Sequence, residues 1–370
     1  MKIGTLTYHF ANNYGAVLQA YALKTYLEEQ GHDVEILNYN SSFLYRKNRA
    51  LLKRVVSLFW SRFRLVIGGA KKNKAFSSFR LNYLGINGEQ ITLPTELKNY
   101  LKDKNFNAFV VGSDQVWNPV LNGADKNYYL AFANNVLKVS YAASFGVSKV
   151  EERFIPLIRD NVKEFNAVSV REKTGLEILK NCSVENSATV VLDPVFLLSQ
   201  EDWNKLASKR LIKEKYILCY VMPGDKNLEN KITETANKLK KETGYKVVYI
   251  GRKEYYRFIN DGKDMIGASP EDFVSLIKNA EVVLTNSFHG TAFSVIFQRD
   301  FYSFKNSSIS KEKQLSSRIQ DLLSDIGLET RIIDSNKNLA SLEKINYDTC
   351  NQIIKSKIKD SKNFLLNVLK

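Results

Sequence analysis

The sequence predicts an α/β protein built from two doubly wound parallel sheets. Its 370 residues are enough for two domains. Apolar residues make up 44% of the chain and charged residues 25%, which are the proportions of an ordinary globular protein. Short apolar runs alternate with amphipathic helical stretches along most of the chain, a pattern typical of parallel strands joined by helices.

The first domain is predicted over residues 1–205. Residues 2–7 form a strand, and a polar loop at 8–14 leads into a helix that ends at Gly31, a residue suited to the position after a helix. A strand at 34–37 completes a parallel unit. Further strands are predicted at 109–111, 139–142, 167–170 and 189–192, with helices near 150–165 and 172–181 and a basic helical insertion at about 41–80.

The second domain is predicted over residues 206–345, and a C-terminal helix over 346–370. Ser269-Pro270-Glu271-Asp272 is typical of a helix start, with serine as the N-cap and a carboxylate three positions later. Strands are predicted at 217–221, 246–250, 282–284 and 301–304, helices at 228–243 and 291–297, and a loop at 286–290. We expect the two Rossmann-like domains to face a cleft at the carboxyl ends of their strands, where ligands bind in such folds.

Several classes of protein are excluded by composition. The three cysteines are widely spaced, which excludes a disulfide framework and a cysteine-rich zinc module. No apolar run reaches the ~18 residues of a membrane span, and the N-terminus lacks the apolar core of a signal peptide, so we expect a cytosolic protein. The dinucleotide, Walker A, HExxH and GxSxG motifs are absent, and we expect neither a metal nor a cofactor.

His289 is the strongest single candidate for a residue that binds substrate or takes part in catalysis. It follows a predicted strand and precedes a predicted helix, a position where backbone N–H groups and the helix dipole favour anions. Gly290 would let a ligand approach the backbone closely. An imidazole there can donate to a phosphate or transfer a proton near neutral pH. The alternative is a histidine that caps the helix or is buried for structural reasons.

Two arginines are candidates for binding an anionic substrate, because a guanidinium recognises carboxylate or phosphate through two parallel hydrogen bonds. Arg171 follows the predicted strand at 167–170. Arg318 follows a polar stretch at 305–316, which is rich in serine and lysine like a mobile loop. The alternatives are a surface ion pair for Arg171 and a solvated helix start for Arg318.

Residues 112–119 predict a sugar site. The loop after the strand at 109–111 combines the carboxylate of Asp114 with a hydroxyl, two amides and an indole, which suit sugar hydroxyls and ring stacking. The loop after the first strand is a similar, weaker signal. The candidate acceptor residues are Asn13, Tyr14, Ser113, Gln115, Trp117 and Asn118. The alternative is a turn with an asparagine cap and a core tryptophan.

Most of the net charge of +15 lies in one segment. No acidic residue occurs between Glu35 and Glu89, whereas eleven basic ones do: Arg46, Lys47, Arg49, Lys53, Arg54, Arg62, Arg64, Lys71, Lys72, Lys74 and Arg80. Residues 49–67 predict an amphipathic helix with Leu52, Val55, Val56, Phe59, Phe63 and Val66 on one face, typical of a helix on an anionic membrane surface. The alternative is a packed helix with a solvated basic face. No nucleic-acid module is recognisable, so we expect no nucleic-acid partner.

Several stretches taken together resemble one family. They are Thr7-Tyr8-His9, Asn13-Tyr14-Gly15-Ala16, Leu18-Gln19-Ala20-Tyr21, Val111-Gly112-Ser113-Asp114-Gln115-Val116-Trp117-Asn118, Ser169-Val170-Arg171-Glu172, Leu192-Asp193-Pro194 and Thr285-Asn286-Ser287-Phe288-His289-Gly290-Thr291-Ala292. In this order, over residues 1–330, they resemble the polysaccharide pyruvyl transferase family. The resemblance implies a GT-B-like fold, phosphoenolpyruvate as donor, a sugar as acceptor and a pyruvate ketal as product.

The resemblance also assigns roles to residues. Family members contact the donor through an Arg-Leu-His run; His289 matches its histidine, but Ser287 and Phe288 take the other two positions. Arg318 or Arg171 would then supply the missing cation, or the donor differs. His289 would hold the phosphate or donate a proton, and Asp114 would orient or deprotonate the acceptor hydroxyl. The implied donor-binding set is Arg171, Asn286, Ser287, Gly290, Thr291 and Arg318.

Three hypotheses follow from these patterns. The first is a pyruvyl transferase that acts on a lipid-linked sugar at the inner face of the cell membrane, which it contacts through residues 46–74. The second is a GT-B-type glycosyltransferase with a nucleotide-sugar donor. The third is a non-catalytic relative that binds sugars or membranes.

Overall fold

A computed structural model describes residues 1–45, 63–184, 187–222, 224–250, 263–265, 267–305, 317–334 and 343–370. The chain divides into two compact units. The first comprises Met1–Phe63, Phe79–Leu197 and Ser356–Lys370, and the second comprises Arg64–Ser78 and Leu198–Lys355.

The boundaries of these units differ from the division expected from the sequence. The first unit ends at Leu197 rather than at residue 205, because Trp203 packs edge-on against Phe293 of the second unit with ring centroids 4.8 Å apart. The end of the C-terminal helix belongs to the first unit: the backbone N–H of Leu192 donates to Ser361 Oγ at 2.9 Å.

The first unit is built on a six-stranded parallel sheet in the order β2-β1-β3-β4-β5-β6. Its strands are β1 (Lys2–Leu6), β2 (Asp33–Ile36), β3 (Ala108–Val111), β4 (Leu137–Ala143), β5 (Ala167–Val170) and β6 (Ala188–Val190). Its helices include α1 (Tyr14–Glu29), the C-terminal part of α2 (Phe63–Leu84), α3 (Pro94–Leu101), α4 (Pro119–Asn122), α5 (Ile155–Val162) and α6 (Lys173–Asn181). Leu6 pairs with Val111, so the loops after β1 and β3 leave the same edge of the sheet.

The second unit repeats the architecture in the order β12-β11-β10-β7-β8-β9, again with every pair parallel. Its strands are β7 (Tyr216–Tyr220), β8 (Lys246–Ile250), β9 (Lys263–Asp264), β10 (Val282–Thr285), β11 (Asp300–Lys305) and β12 (Ile332–Asp334). Its helices include residues 64–78 of α2, α7 (Gln200–Leu206), α8 (Lys226–Thr243), α9 (Pro270–Lys278), α10 (Phe288–Ile296) and α11 (Ser317–Asp325). The last helix, α12 (Asp348–Val368), begins in this unit and ends in the first.

The predicted α/β class with two parallel sheets is confirmed, and one local prediction is wrong. Helix α9 begins as expected: Ser269 caps it, and Asp272 accepts from the backbone N–H of Ser269 at 3.0 Å. Helix α10, by contrast, begins at Phe288 rather than at residue 291, because Ser287 supplies the N-cap. His289 therefore lies in the first turn of a helix and not in the preceding loop.

The basic segment is described only in part. Residues 46–62, which hold most of the predicted amphipathic helix, lie outside the described residues. Helix α2 includes residues 63–67 of that prediction and continues to Leu84. Within the described ranges, no helix is long and apolar enough to cross a membrane.

The turn after β3 generates a stability prediction. Gly112 has φ +118°, and a Cβ atom there would lie 2.1 Å from the carbonyl oxygen of Tyr141. Gly31 also has positive φ, at +83°, but a Cβ atom there would have no neighbour within 4 Å. Backbone strain costs roughly 1–2 kcal/mol and overpacking a further ~1–3 kcal/mol.

We therefore expect Gly112→Ala to lower the free energy of unfolding of the first unit by several times the loss in the matched control, Gly31→Ala. Urea denaturation of both variants, followed by circular dichroism, measures the two losses. Equal losses would contradict the steric argument.

Candidate functional site

The loops after β1 and β3 are joined by a buried hydrogen-bond network at the carboxyl edge of the first sheet. Thr7 Oγ1 donates to the carbonyl oxygen of Ser113 at 2.9 Å. Gln19, on α1, donates through Nε2 to Thr7 Oγ1 at 2.8 Å and accepts from the backbone N–H of Ser113 at 3.0 Å. The network fixes the backbone immediately before Asp114.

Arg171 lies at the centre of this edge, and its side chain is 1% exposed. Its Nη1 donates to Asp193 Oδ2 at 2.7 Å and to Ser113 Oγ at 3.4 Å. Ser113 Oγ also lies 3.1 Å from Asp193 Oδ2, to which it donates. The three residues follow β5, β6 and β3 respectively, so one buried ion pair holds three loops together.

Two further carboxylates surround the same guanidinium. Glu172 Oε2 lies 3.7 Å from Arg171 Nε, and Asp114 Oδ1 lies 4.0 Å from Arg171 Nη2. Burial by itself lowers the pKa of Arg171, but the charges of Asp193, Glu172 and Asp114 outweigh burial and raise that pKa. Ser144 Oγ donates to Glu172 Oε1 at 2.7 Å, which gives this buried carboxylate oxygen a hydrogen-bond partner.

Asp114 is the carboxylate of this cluster that reaches the surface. Its side chain is 17% exposed, compared with 1% for Glu172 and 0% for Asp193. Its φ of +66° places it in the left-handed region, and its Oδ1 accepts from the backbone N–H of Gln115 at 2.8 Å. A carboxylate held in one orientation at a sheet edge can accept a hydrogen bond, or a proton, from a hydroxyl.

The other predicted acceptor residues are divided between surface and core. Trp117 is fully buried: its ring stacks on Tyr129 with centroids 5.8 Å apart, and its Nε1 donates to the carbonyl oxygen of Tyr128 at 3.1 Å. It is a core residue and offers no ring face to a sugar. Asn118 accepts from the backbone N–H of Leu121 at 3.1 Å as the cap of α4.

The remaining predicted acceptor residues lie near the same edge. Asn13 caps α1 and is half-buried, whereas Tyr14 and Ser113 are buried. Gln115 is half-buried beside Gly146, where a Cβ atom would lie 1.9 Å from Gln115 Oε1. Of the predicted acceptor residues, Asn13 and Gln115 are therefore the two with partly accessible side chains, beside the catalytic candidate Asp114.

In the second unit, the candidate donor residues surround the start of α10. Asn286 bridges two loops: its Oδ1 accepts from the backbone N–H of Met222 at 2.6 Å, and its Nδ2 donates to the carbonyl oxygen of Met222 at 2.9 Å. Ser287 accepts from the backbone N–H of Gly290 at 3.4 Å, and its side chain also hydrogen-bonds Tyr220. The bridge fixes the loop after β7 to the start of the helix.

Gly290 has a packing role at the start of α10. A Cβ atom at this position would lie 2.5 Å from Thr285 Oγ1 and 3.0 Å from Cδ1 of Tyr220, so the glycine lets α10 lie close against the sheet. Thr291 is fully buried, and its Oγ1 shares a 2.6 Å hydrogen bond with Ser303 Oγ. Both residues therefore hold the helix in place.

His289 is the second residue of α10 and is 7% exposed, with its ring edge-on to Phe288 at 5.2 Å. Arg318 is half-buried in the first turn of α11, in the same unit. The first turn of a helix carries partial positive charge, so the geometry at His289 suits an anion. No described group of three or more histidine, cysteine or carboxylate side chains is arranged to hold a metal ion.

Some residues at these edges had only indirect signals in the sequence. Asp193 belongs to the Leu-Asp-Pro stretch, but nothing in the sequence indicated its pairing with Arg171. Arg80 was one cation among eleven, yet its Nη2 donates to Asn12 Oδ1 at 3.1 Å in the loop after β1. Both contacts join segments that only the fold brings together.

Comparison with known proteins shows the family. The sequence profile described as polysaccharide pyruvyl transferase matches residues 13–308, which include Asp114, Arg171 and His289. The chain belongs to the polysaccharide pyruvyl transferase family. No curated protein sequence matches it.

Solved structures show the same fold. The UDP-GlcNAc 2-epimerase of Methanocaldococcus jannaschii is 11% identical, with a TM-score of 0.54 over 100% of this chain and 99% of the epimerase. A putative UDP-N-acetylglucosamine 2-epimerase of Listeria monocytogenes is 9% identical, with a TM-score of 0.51 over 100% of this chain and 91% of that protein. At such low identity the likeness shows the fold alone, and it confirms the GT-B-like α/β class of this pyruvyl transferase family member.

The buried cluster generates a stability prediction. Arg171→Met removes the cation and leaves Asp193, Glu172 and Asp114 close together. Removing one partner of a buried ion pair costs roughly 3–5 kcal/mol. We expect a loss of that size at pH 7. Stranded carboxylates have a raised pKa in the folded variant, so the penalty should shrink as the pH falls through that pKa.

Denaturation of wild type and variant at pH 7 and pH 5 measures the effect. Arg159→Met is the matched control, because Arg159 forms an ion pair with Asp160 at 3.1 Å while 45% exposed, and such pairs contribute about 1 kcal/mol or less. Similar losses in the two variants, or a loss at Arg171 that does not change with pH, would contradict the ion-pair account.

Proposed function

We propose that this family member transfers the pyruvyl group of phosphoenolpyruvate to a sugar of a surface-polysaccharide precursor and forms a pyruvate ketal. The family match carries the proposal, because it spans both the first turn of α10 with His289 and the loop with Asp114. The described geometry supports it with one anion-favouring helix start and one oriented, partly exposed carboxylate.

The donor requires positive charge and N–H groups, because phosphoenolpyruvate carries both a carboxylate and a phosphate. We assign it to the start of α10, where His289 would donate to an anionic oxygen or protonate the donor. Asn286, Ser287, Gly290 and Thr291 would shape this helix start through the contacts described above. Arg318 would supply the cation that Ser287 lacks relative to the Arg-Leu-His run.

The proposed reaction balances without another reactant. Protonation of the methylene carbon makes C2 of the donor electrophilic, and one sugar hydroxyl adds to C2. The bond from C2 to the phosphate oxygen then breaks, and the second hydroxyl adds to the same carbon to close the ketal. Each of the two sugar hydroxyls loses a proton. One of these protons balances the proton that the methylene carbon gained, and the other leaves with phosphate.

The acceptor is assigned to the edge of the first sheet. Asp114 would orient the attacking hydroxyl and accept its proton, and the accessible amides of Gln115 and Asn13 would bind other hydroxyls. The other predicted acceptor residues would act indirectly, by holding these loops in position: Ser113, Trp117, Asn118 and Tyr14. Arg171 would likewise act on substrate indirectly, since its guanidinium is buried among carboxylates.

Phosphate release from phosphoenolpyruvate in the presence of candidate acceptor sugars tests the proposal. We expect acceptor-dependent release by wild type and at least a tenfold lower rate for His289→Gln, a loss of about 1.4 kcal/mol of transition-state stabilisation. His32→Gln is the matched control, because His32 is a half-buried histidine directly before β2 with no assigned role. It should retain the wild-type rate.

Two outcomes would contradict this proposal. One is a wild-type rate in His289→Gln. The other is the absence of phosphoenolpyruvate-dependent phosphate release with every acceptor. Turnover of a nucleotide sugar would then favour a glycosyltransferase.

We further propose that the acceptor is lipid-linked and that residues 46–74 contact the anionic inner face of the cell membrane. The sequence of residues 46–62 supports this proposal by its cations and apolar face, and the described part adds two exposed cations, Lys71 and Lys74. Each cation near an anionic leaflet contributes about 1 kcal/mol. The apolar face is needed as well, because charge alone is screened over about 8 Å at physiological salt.

We expect the protein to co-sediment with vesicles that contain phosphatidylglycerol and not with pure phosphatidylcholine vesicles. Changing Phe59 and Phe63 to serine should abolish binding and spare turnover of a soluble acceptor. Leu366→Ser is the control, since Leu366 is a 43% exposed leucine of α12 outside the segment. If wild type does not bind anionic vesicles, the segment has no membrane role.

A further inference from the structure

Arg80 is a half-buried cation at the carboxyl edge of the first sheet. It lies near the C-terminus of α2, where Phe79 and Tyr83 pack on Tyr21 of α1 with ring centroids 6.0 and 5.8 Å apart. Its Nη1 donates to the carbonyl oxygen of Phe10 at 3.4 Å, and its Nη2 donates to Asn12 Oδ1 at 3.1 Å. The guanidinium is thus held against the loop after β1.

The partners of Arg80 are neutral. Among the described residues, no carboxylate lies within 4.0 Å of its guanidinium, and no acidic residue occurs in the sequence between Glu35 and Glu89. Arg171, at the same edge, contrasts sharply, because three carboxylates surround it. Burial lowers the pKa of Arg80, and its charge adds to the lowering that burial produces at His9.

A partly buried charge without a counter-ion is costly, unless a ligand supplies the opposite charge. A guanidinium has five N–H groups, and two of those at Arg80 suffice for Phe10 and Asn12. The remaining donors form no hydrogen bond to any described residue and suit two oxygens of one anionic group. The loop that Arg80 contacts also leads to Asn13, a proposed acceptor residue.

We propose that Arg80 forms a subsite for an anionic group of the acceptor, either a phosphate or a carboxylate attached to the sugar. The inference rests on the proposed assignment of the acceptor to the first unit, and it deepens that assignment by naming the acceptor's charge. Arg80 is therefore a specificity residue: it favours anionic acceptors over neutral sugars of the same stereochemistry.

Direct binding by calorimetry, without phosphoenolpyruvate, tests this subsite. The probes are neutral sugars matched with their anionic forms: N-acetylglucosamine with its 1-phosphate, glucose with its 1-phosphate and with glucuronate, and galactose with galacturonate. We expect wild type to bind the anionic member of at least one pair at least tenfold more tightly. The series that shows the preference identifies phosphate or carboxylate as the group bound.

Asn12→Asp is the most informative variant for this test. It keeps an oxygen for the hydrogen bond from Arg80 and adds an internal counter-ion, so it should remove the anion preference while leaving the fold intact. Arg80→Met should remove the preference as well. Lys98→Met is the control for net charge, because Lys98 is exposed on α3 of the same unit, and it should keep the preference.

The proposal would be overturned if wild type bound both members of every pair with equal affinity, or bound none of them. It would also be overturned if the Asn12→Asp variant kept the preference for the anionic member. A purely structural role for Arg80 predicts that Asn12→Asp leaves the preference unchanged. Because the assay omits the donor, its outcome is separate from that of the phosphate-release assay. An anion preference without phosphate release would support the subsite and contradict pyruvyl transfer.

Discussion

The buried ion pair between Arg171 and Asp193 is the constraint on which the carboxyl edge of the first sheet depends. A guanidinium that is 1% exposed must have counter-charges at hand, and these lie on the loops after β6 and β3. Ser113 belongs to the same network, so the position of the next residue, Asp114, follows from it. The orientation of the proposed base therefore depends on a contact between two buried side chains.

In the second unit, the start of α10 is held by close packing and by hydrogen bonds of uncharged side chains. The absence of a side chain at Gly290 lets α10 lie against Thr285 and Tyr220, and the side chain of Asn286 ties the start of the helix to Met222. The N-terminus of α10 is thereby held rigidly in its own unit. In both units, several of the predicted site residues hold backbone in place through hydrogen bonds or close packing.

The sequence was a good guide to the sheets, because strand length, apolar runs and helix caps are local. It misplaced the start of α10 because a glycine after a histidine favours a loop locally, whereas here close packing against the sheet requires that glycine. The sequence did not show whether Trp117 is a core residue or stacks on a sugar. The answer depends on Tyr129 and Phe145, which pack around its ring only in the folded chain.

The surroundings of charged residues were also beyond what the sequence could predict. The sequence reveals a segment without acids, but it does not reveal that Arg80 contacts residues 68 and 70 positions earlier while Arg171 is enclosed by carboxylates. The two arginines thus have different electrostatic surroundings: Arg171 is neutralised by buried carboxylates, whereas Arg80 donates to neutral oxygens of Phe10 and Asn12. This difference comes from topology, which brings the loop after β1 to α2 and the loops after β3, β5 and β6 to one point.

The most direct test of the proposed chemistry is the structure of the product formed in D2O. Phosphoenolpyruvate labelled with ¹³C at the methylene carbon is incubated with the protein and an acceptor sugar, and the product is analysed by NMR. Ketal formation with protonation of that carbon should give a labelled methyl group that carries one deuterium, with phosphate released in equal amount. A vinyl signal on the sugar would show that transfer stops at an enol ether, and unchanged phosphoenolpyruvate with every acceptor would contradict pyruvyl transfer altogether.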